Sequence, residues 1–113
     1  MWKIIDSEEL PFTPYPKGKA NIKRIIEKEK VGTERIGGFG LIEVPPGGVF
    51  EPHTHPEREE IYYVISDSGS LIVGDKEVPA KRGLALYVSG VDAHGLKNPG
   101  NRPLLIMFVT AFK

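Results

Sequence analysis

The chain has 113 residues, enough for one hydrophobic core but too few for two ordinary domains. Its 15 Lys and Arg balance its 15 Asp and Glu, so no charge excess argues for a nucleic-acid or acidic-membrane partner. Cysteine is absent, which removes disulfides, thiolate ligands and cysteine nucleophiles, and no apolar run approaches the roughly 20 residues of a membrane-spanning helix.

The N-terminus MWKIIDSEEL lacks the apolar block of a secretory leader, and a soluble cytoplasmic protein is expected. Asp6 and Glu9 have the spacing that caps a single helical turn. FTPYPKGK, residues 12 to 19, carries two prolines and a glycine and predicts an irregular segment over the core. Beyond it, glycine and proline punctuate short segments rich in Val, Ile, Tyr and Phe. Strands are predicted over 22–29, 40–44, 60–65, 70–73, 84–88, 94–97 and 104–110. Many short strands joined by turns predict an all-β sandwich or barrel. IKRIIEKEK at 22–30 also fits a helix, because Ile22, Ile25 and Ile26 share a helical face.

The chemistry concentrates in EPHTHPEREEIYYVI, residues 51–65. His53 and His55 are two apart, and in an extended backbone residues i and i+2 point to one side. Glu60 has the opposite parity from His55 along an unbroken strand. Pro56 breaks the ladder and allows a turn in PERE to reset the register. The third histidine, His94, lies far along the chain, and antiparallel pairing in a barrel can bring it beside the first two. Three imidazoles and a carboxylate suit a divalent transition metal such as Mn, Fe, Co, Ni or Zn. Taken alone, the histidine pair reads equally well as part of an ordinary loop.

The segment from Gly47 to Gly69 resembles the first motif of the cupin superfamily, G(X)5HXH(X)4E(X)6G, with Gly47, His53, His55 and Glu60 in place and Asp67 at the last glycine position. Asp is among the residues that best tolerate a left-handed backbone, and Gly69 follows. The segment from Gly83 to Asn98 is similar to the second motif, G(X)5PXG(X)2H(X)3N. Gly83, His94 and Asn98 match, and Ser89 and Val91 replace its proline and glycine. The resemblance implies an all-β double-stranded β-helix, or jelly-roll barrel. One cupin domain would span 1–113, with an N-terminal arm over 1–20 and a barrel core over 40–110. It also implies that His53, His55, Glu60 and His94 are metal ligands, and that Asn98 serves the backbone of a turn.

Four protein ligands leave about two positions open on a six-coordinate ion, room for a chelating oxygenated substrate. With Glu60 pointing inward, Tyr62 and Val64 share its face, and Ile61, Tyr63 and Ile65 take the other. Tyr62 is therefore the candidate catalytic hydroxyl, orienting substrate or shuttling a proton; the alternative is a core aromatic bonded elsewhere. Leu96 shares the face of His94. In LLIMFVTAF, either Ile106 and Phe108 or Met107 and Val109 line the barrel. The apolar face of Ile61, Tyr63 and Ile65 calls for a cover, and a homodimer is expected, with WKII at 2–5 as a strand for a partner's edge. Three functions remain open: a small metalloenzyme with dioxygenase, decarboxylase or isomerase chemistry, a non-catalytic module binding a sugar or carboxylate, and a structural barrel whose metal only staples the fold.

Overall fold

In the computed structural model, which describes residues 1–15 and 19–113, antiparallel strands build two sheets. They are β1 (Thr13–Pro14), β2 (Asn21–Glu27), β3 (Ile36–Val44), β4 (Val49–His53), β5 (Arg58–Ser66), β6 (Ser70–Val73), β7 (Lys76–Pro79), β8 (Ala85–Val88), β9 (His94–Lys97) and β10 (Leu104–Phe112). One sheet has the order β1-β2-β3-β10-β5-β8 and the other β4-β9-β6-β7. Between them lies a core to which the first contributes Ile22, Ile42, Tyr62, Val64 and Ile106, and the second Phe50, Leu71 and Leu96. This is the double-stranded β-helix expected from the sequence. Among the described residues no helix is long and apolar enough to cross a membrane.

Strand alternation places the interior residues. Along β5 Glu60, Tyr62 and Val64 are buried, whereas Ile61 and Tyr63 face outward. Along β10 the buried set is Leu104, Ile106, Phe108 and Thr110, which decides the parity that the sequence left open. Each such aliphatic or aromatic side chain contributes about 1.5–3 kcal/mol on burial. Central β10 carries them across the sheet, Ile106 lying between Ile42 of β3 and Val64 of β5.

Several boundaries differ from those predicted. Residues 22–29 are strand only to Glu27; Lys28–Val31 then forms one helical turn, α1, closed by Gly32 in a left-handed conformation. The register against β3 shifts between Arg24 and Ile26, which interrupts the strict alternation in this stretch. Strands β4 and β7 were not anticipated. The first contains Pro52 and the second, KEVP, is exposed throughout, so neither shows an apolar alternation. Within 12–19, Thr13 and Pro14 pair with β2, and residues 16–18 lie outside the described residues.

The N-terminal turn is present as a 3-10 helix over Ser7–Glu9, where the Asp6 side chain accepts the Glu8 N–H at 3.0 Å. Lys23 of β2 donates to the Ser7 carbonyl at 2.9 Å and lies over the Phe12 ring, which fastens this segment to the outside of the sheet. Residues 1–6 form no strand, and Trp2 and Ile4 are exposed.

Candidate metal centre

The four ligand candidates arrive from three places in the chain. His53 closes β4 and stands opposite His94, which opens β9. His55 follows in the connection, its N–H donating to the Gly90 carbonyl at 3.0 Å. The turn expected at Pro56 forms there, with Arg58 N–H donating to the His55 carbonyl at 2.9 Å, and the chain re-enters the sheet so that Glu60 points inward.

The glycine of the turn before His94 sits one residue earlier than the motif places it. Gly90 has φ +93°, and a methyl group there would run into the carbonyls of His55 and Arg58. Asp67 does not take the left-handed conformation; Gly69 does, at φ +70°, and Asp67 instead accepts the Arg82 N–H. Asn98 is buried and ties the adjoining turns, donating to the carbonyls of Val44 and Arg102 at 2.8 and 2.6 Å and accepting from Ser68 Oγ at 2.7 Å.

At the centre, His94 Nε2 lies 3.0 Å from His55 Nε2 and 3.0 Å from Glu60 Oε1, and His55 Nε2 lies 3.1 Å from the same oxygen. The ligand atoms of His53, His55, Glu60 and His94 all fall within 4.8 Å of one another. Each Nδ1 sits against a backbone carbonyl: Glu51 for His53 at 2.9 Å, Arg58 for His55 at 3.0 Å and Asp92 for His94 at 3.0 Å. A carbonyl only accepts, so each Nδ1 carries the hydrogen and each Nε2 presents a lone pair. Lone pairs of two imidazoles at that separation repel unless a positive charge stands between them.

A divalent ion fits this arrangement. With bonds of about 2.0–2.2 Å to nitrogen and oxygen, neighbouring ligand atoms stand about 3 Å apart and opposed ones about 4.2 Å. Nitrogen and carboxylate donors without sulfur match Mn, Fe, Ni or Zn. His94 is fully buried, and His55 and Glu60 are nearly so. Burial disfavours the charged form of His53 and lowers its pKa. Burial opposes protonation of His94 too, but the hydrogen bonds that the protonated ring donates to Glu60 and to the Asp92 carbonyl outweigh it and raise the pKa.

His53, His55 and Glu60 open on a cavity of about 430 Å³ walled by Phe50, Ile42, Phe108 and Tyr15, with Arg24, Arg58, Glu27 and Glu29 also on its lining. The arginines were missed in the sequence, although Arg58 shares the parity of Glu60 along β5. Tyr62 does share the inward face, its ring edge-on to His94 with centroids 5.8 Å apart. Its side chain does not line the cavity, and its buried hydroxyl has no hydrogen-bond partner. Burial, then the charge of Glu60, pushes that hydroxyl's pKa well up.

The family described as Cupin domain matches residues 40–110. An uncharacterized protein of Methanocaldococcus jannaschii is 33% identical over 105 residues, covering 93% of this chain and 84% of its own length. Tetracenomycin polyketide synthase protein TcmJ of Streptomyces glaucescens is 35% identical over 72 residues, 64% of this chain but only 48% of that protein. Among solved structures, a predicted oxalate decarboxylase from Thermotoga maritima superposes with a TM-score of 0.87 at 24% identity, covering 98% of this chain and 100% of that one. With the family match spanning most of its length and the barrel in place, this chain belongs to the cupin family.

Proposed function

We propose that this chain is a divalent-metal cupin enzyme that binds an oxygenated small molecule on its three-histidine, one-glutamate centre. The observation that carries this reading is the convergence of three Nε2 lone pairs and Glu60 Oε1 at an open cavity. His53, His55, Glu60 and His94 would hold the ion, which when bound supplies Lewis-acid activation of substrate oxygens. The chain's own contribution is placement: the carbonyls of Glu51, Arg58 and Asp92 fix the imidazoles, and Phe50 and Phe108 wall the cavity that would receive the substrate. Tyr62 serves the centre through its hydroxyl. Dioxygenase, decarboxylase and isomerase chemistry all suit such a site, and the names carried by similar proteins, a predicted oxalate decarboxylase and a polyketide synthase protein, suggest adding oxalate and enolisable polyketones to the first substrates.

The test is to load the protein with Mn or Fe, offer keto acids, diketones and catechols, and follow oxygen uptake, CO2 release and isomer formation. Turnover that disappears in His55→Ala supports the enzyme. Saturable binding of a sugar or carboxylate without turnover supports the second reading, a non-catalytic binding module. That reading has one observation in its favour: the Tyr62 hydroxyl, the candidate proton shuttle, does not reach the cavity. In both readings the protein works in the cytoplasm as a homodimer, for which the support is the apolar outer face of the larger sheet, where Ile61, Tyr63 and Tyr87 are exposed.

A further inference from the structure

Among the described residues, the Tyr62 hydroxyl is the one buried side-chain polar atom with no hydrogen-bond partner. A phenol left dry in a core costs stability, because its bonds to water are lost without replacement. Burial of this kind marks a group waiting for a partner. The ring is held firmly, packed edge-on to His94 and set two residues from Glu60 on the same face of β5.

Glu60 is the buried charged residue that shares this inward face of β5. Its Oε1 is turned toward His55 and His94, at 3.1 and 3.0 Å, whereas no hydrogen bond among the described residues reaches Oε2. A donor without an acceptor and a carboxylate oxygen without a donor thus lie on neighbouring inward positions of one strand. A phenol keeps its proton at neutral pH and so is able to donate.

We infer that Tyr62 is a positioning residue of the centre, its hydroxyl coming to donate to Glu60 Oε2 when Oε1 binds the metal ion. The inference rests on the proposed metal centre and gives Tyr62 its specific role there. Hydrogen bonds of this sort around a ligand set its orientation and basicity, and their loss typically weakens metal affinity by about 10-fold to 100-fold. The hydroxyl meets neither substrate nor cavity, so its effect reaches chemistry only through Glu60.

Tyr62→Phe separates this role from a structural one, because the two have opposite signs in the metal-free protein. Removing an unpartnered hydroxyl leaves the apo melting temperature unchanged or higher. Titration with Mn or Co should then show one ion per chain still bound, but about tenfold more weakly. In a Glu60→Gln background, where one ligating oxygen is kept but the amide nitrogen cannot accept from the phenol, adding Tyr62→Phe should change metal affinity less than twofold. A lowered apo melting temperature with unchanged metal affinity would overturn the inference, as would equal losses in the two backgrounds. If the wild-type chain takes up no divalent ion, the metal centre itself fails and Tyr62→Phe shows only the apo effect, which separates that failure from the failure of the Tyr62 assignment.

Discussion

The protonation of each histidine at the centre follows from what its second nitrogen touches. Because the Nδ1 atoms face carbonyls, proton and metal compete for the same Nε2 lone pairs, so acid must release the ion. The raised pKa of His94 makes that ring accept a proton at higher pH than an ordinary imidazole, and the lowered pKa of His53 delays its protonation to lower pH. Affinity is therefore expected to be full well above both values. It should fall by about tenfold per pH unit for each ring that gains a proton, His94 first. Calorimetric titration across the acid range checks this; affinity flat down to pH 5 would contradict it. Removing one ligand is the sharper intervention. His55→Ala should abolish stoichiometric uptake and with it the ion's stabilisation of the native state, about 4 kcal/mol when free metal stands at a thousand times its Kd. Melting curves with and without metal would then coincide for the variant and separate for the wild type.

At the level of elements, the site depends on turns more than on strands. Gly90 and Asn98 hold the loops on either side of β9, and their consequences differ. Gly90→Ala puts a side chain at φ +93° against the carbonyls of His55 and Arg58, so it should displace His55 and weaken metal binding. Asn98→Ala leaves the carbonyls of Val44 and Arg102 without their donor, costing about 2–4 kcal/mol by the usual penalty for buried unpaired groups. Asn98 lies at the far end of β9 from His94, so metal stoichiometry should be kept. Denaturant unfolding with metal titration distinguishes the pair; Gly90→Ala with wild-type affinity would refute the role given to that turn. The difference also shows what could be read from the sequence. The approach of His53, His55 and Glu60 was readable because i, i+2 spacing and the turn at Pro56 are local facts, as was the inward face of β5; the place of His94 beside them rested on the motif resemblance. Strands β4 and β7 were not, since Pro52 and the exposed KEVP hide the alternation that tertiary pairing with β9 and β6 supplies. The glycine at 90 escaped because two neighbouring positions of the motif depart from it, and only the close approach of two carbonyls shows which residue needs the left-handed backbone.

For the molecule as a whole, the two faces of the larger sheet have unequal fates. The inner face is sealed by the second sheet, whereas the outer one carries Phe39, Val109, Ile61 and Tyr87 in one row across four strands, and Leu41, Met107 and Tyr63 in the next. Ile61 is 45%, Tyr63 42% and Tyr87 59% exposed, values that leave a contiguous apolar surface at the β5–β8 end. Edge strand β8 closes that end with backbone groups unpaired on its outer side, so a second copy can meet both the face and the edge. The expected state is a two-fold dimer sedimenting at twice the chain mass. Ile61→Lys sets a charge in the middle of the row while leaving the inward residues Glu60 and Tyr62 in register. Burying that ammonium unpaired should raise the dimer dissociation constant at least about tenfold, equivalent to about 1.4 kcal/mol. Because the metal ligands all face the barrel interior, the variant should still bind one ion per chain. A wild-type chain sedimenting as a monomer at micromolar concentration would remove the dimer and leave the metal centre untouched, since nothing in its geometry draws on a second copy.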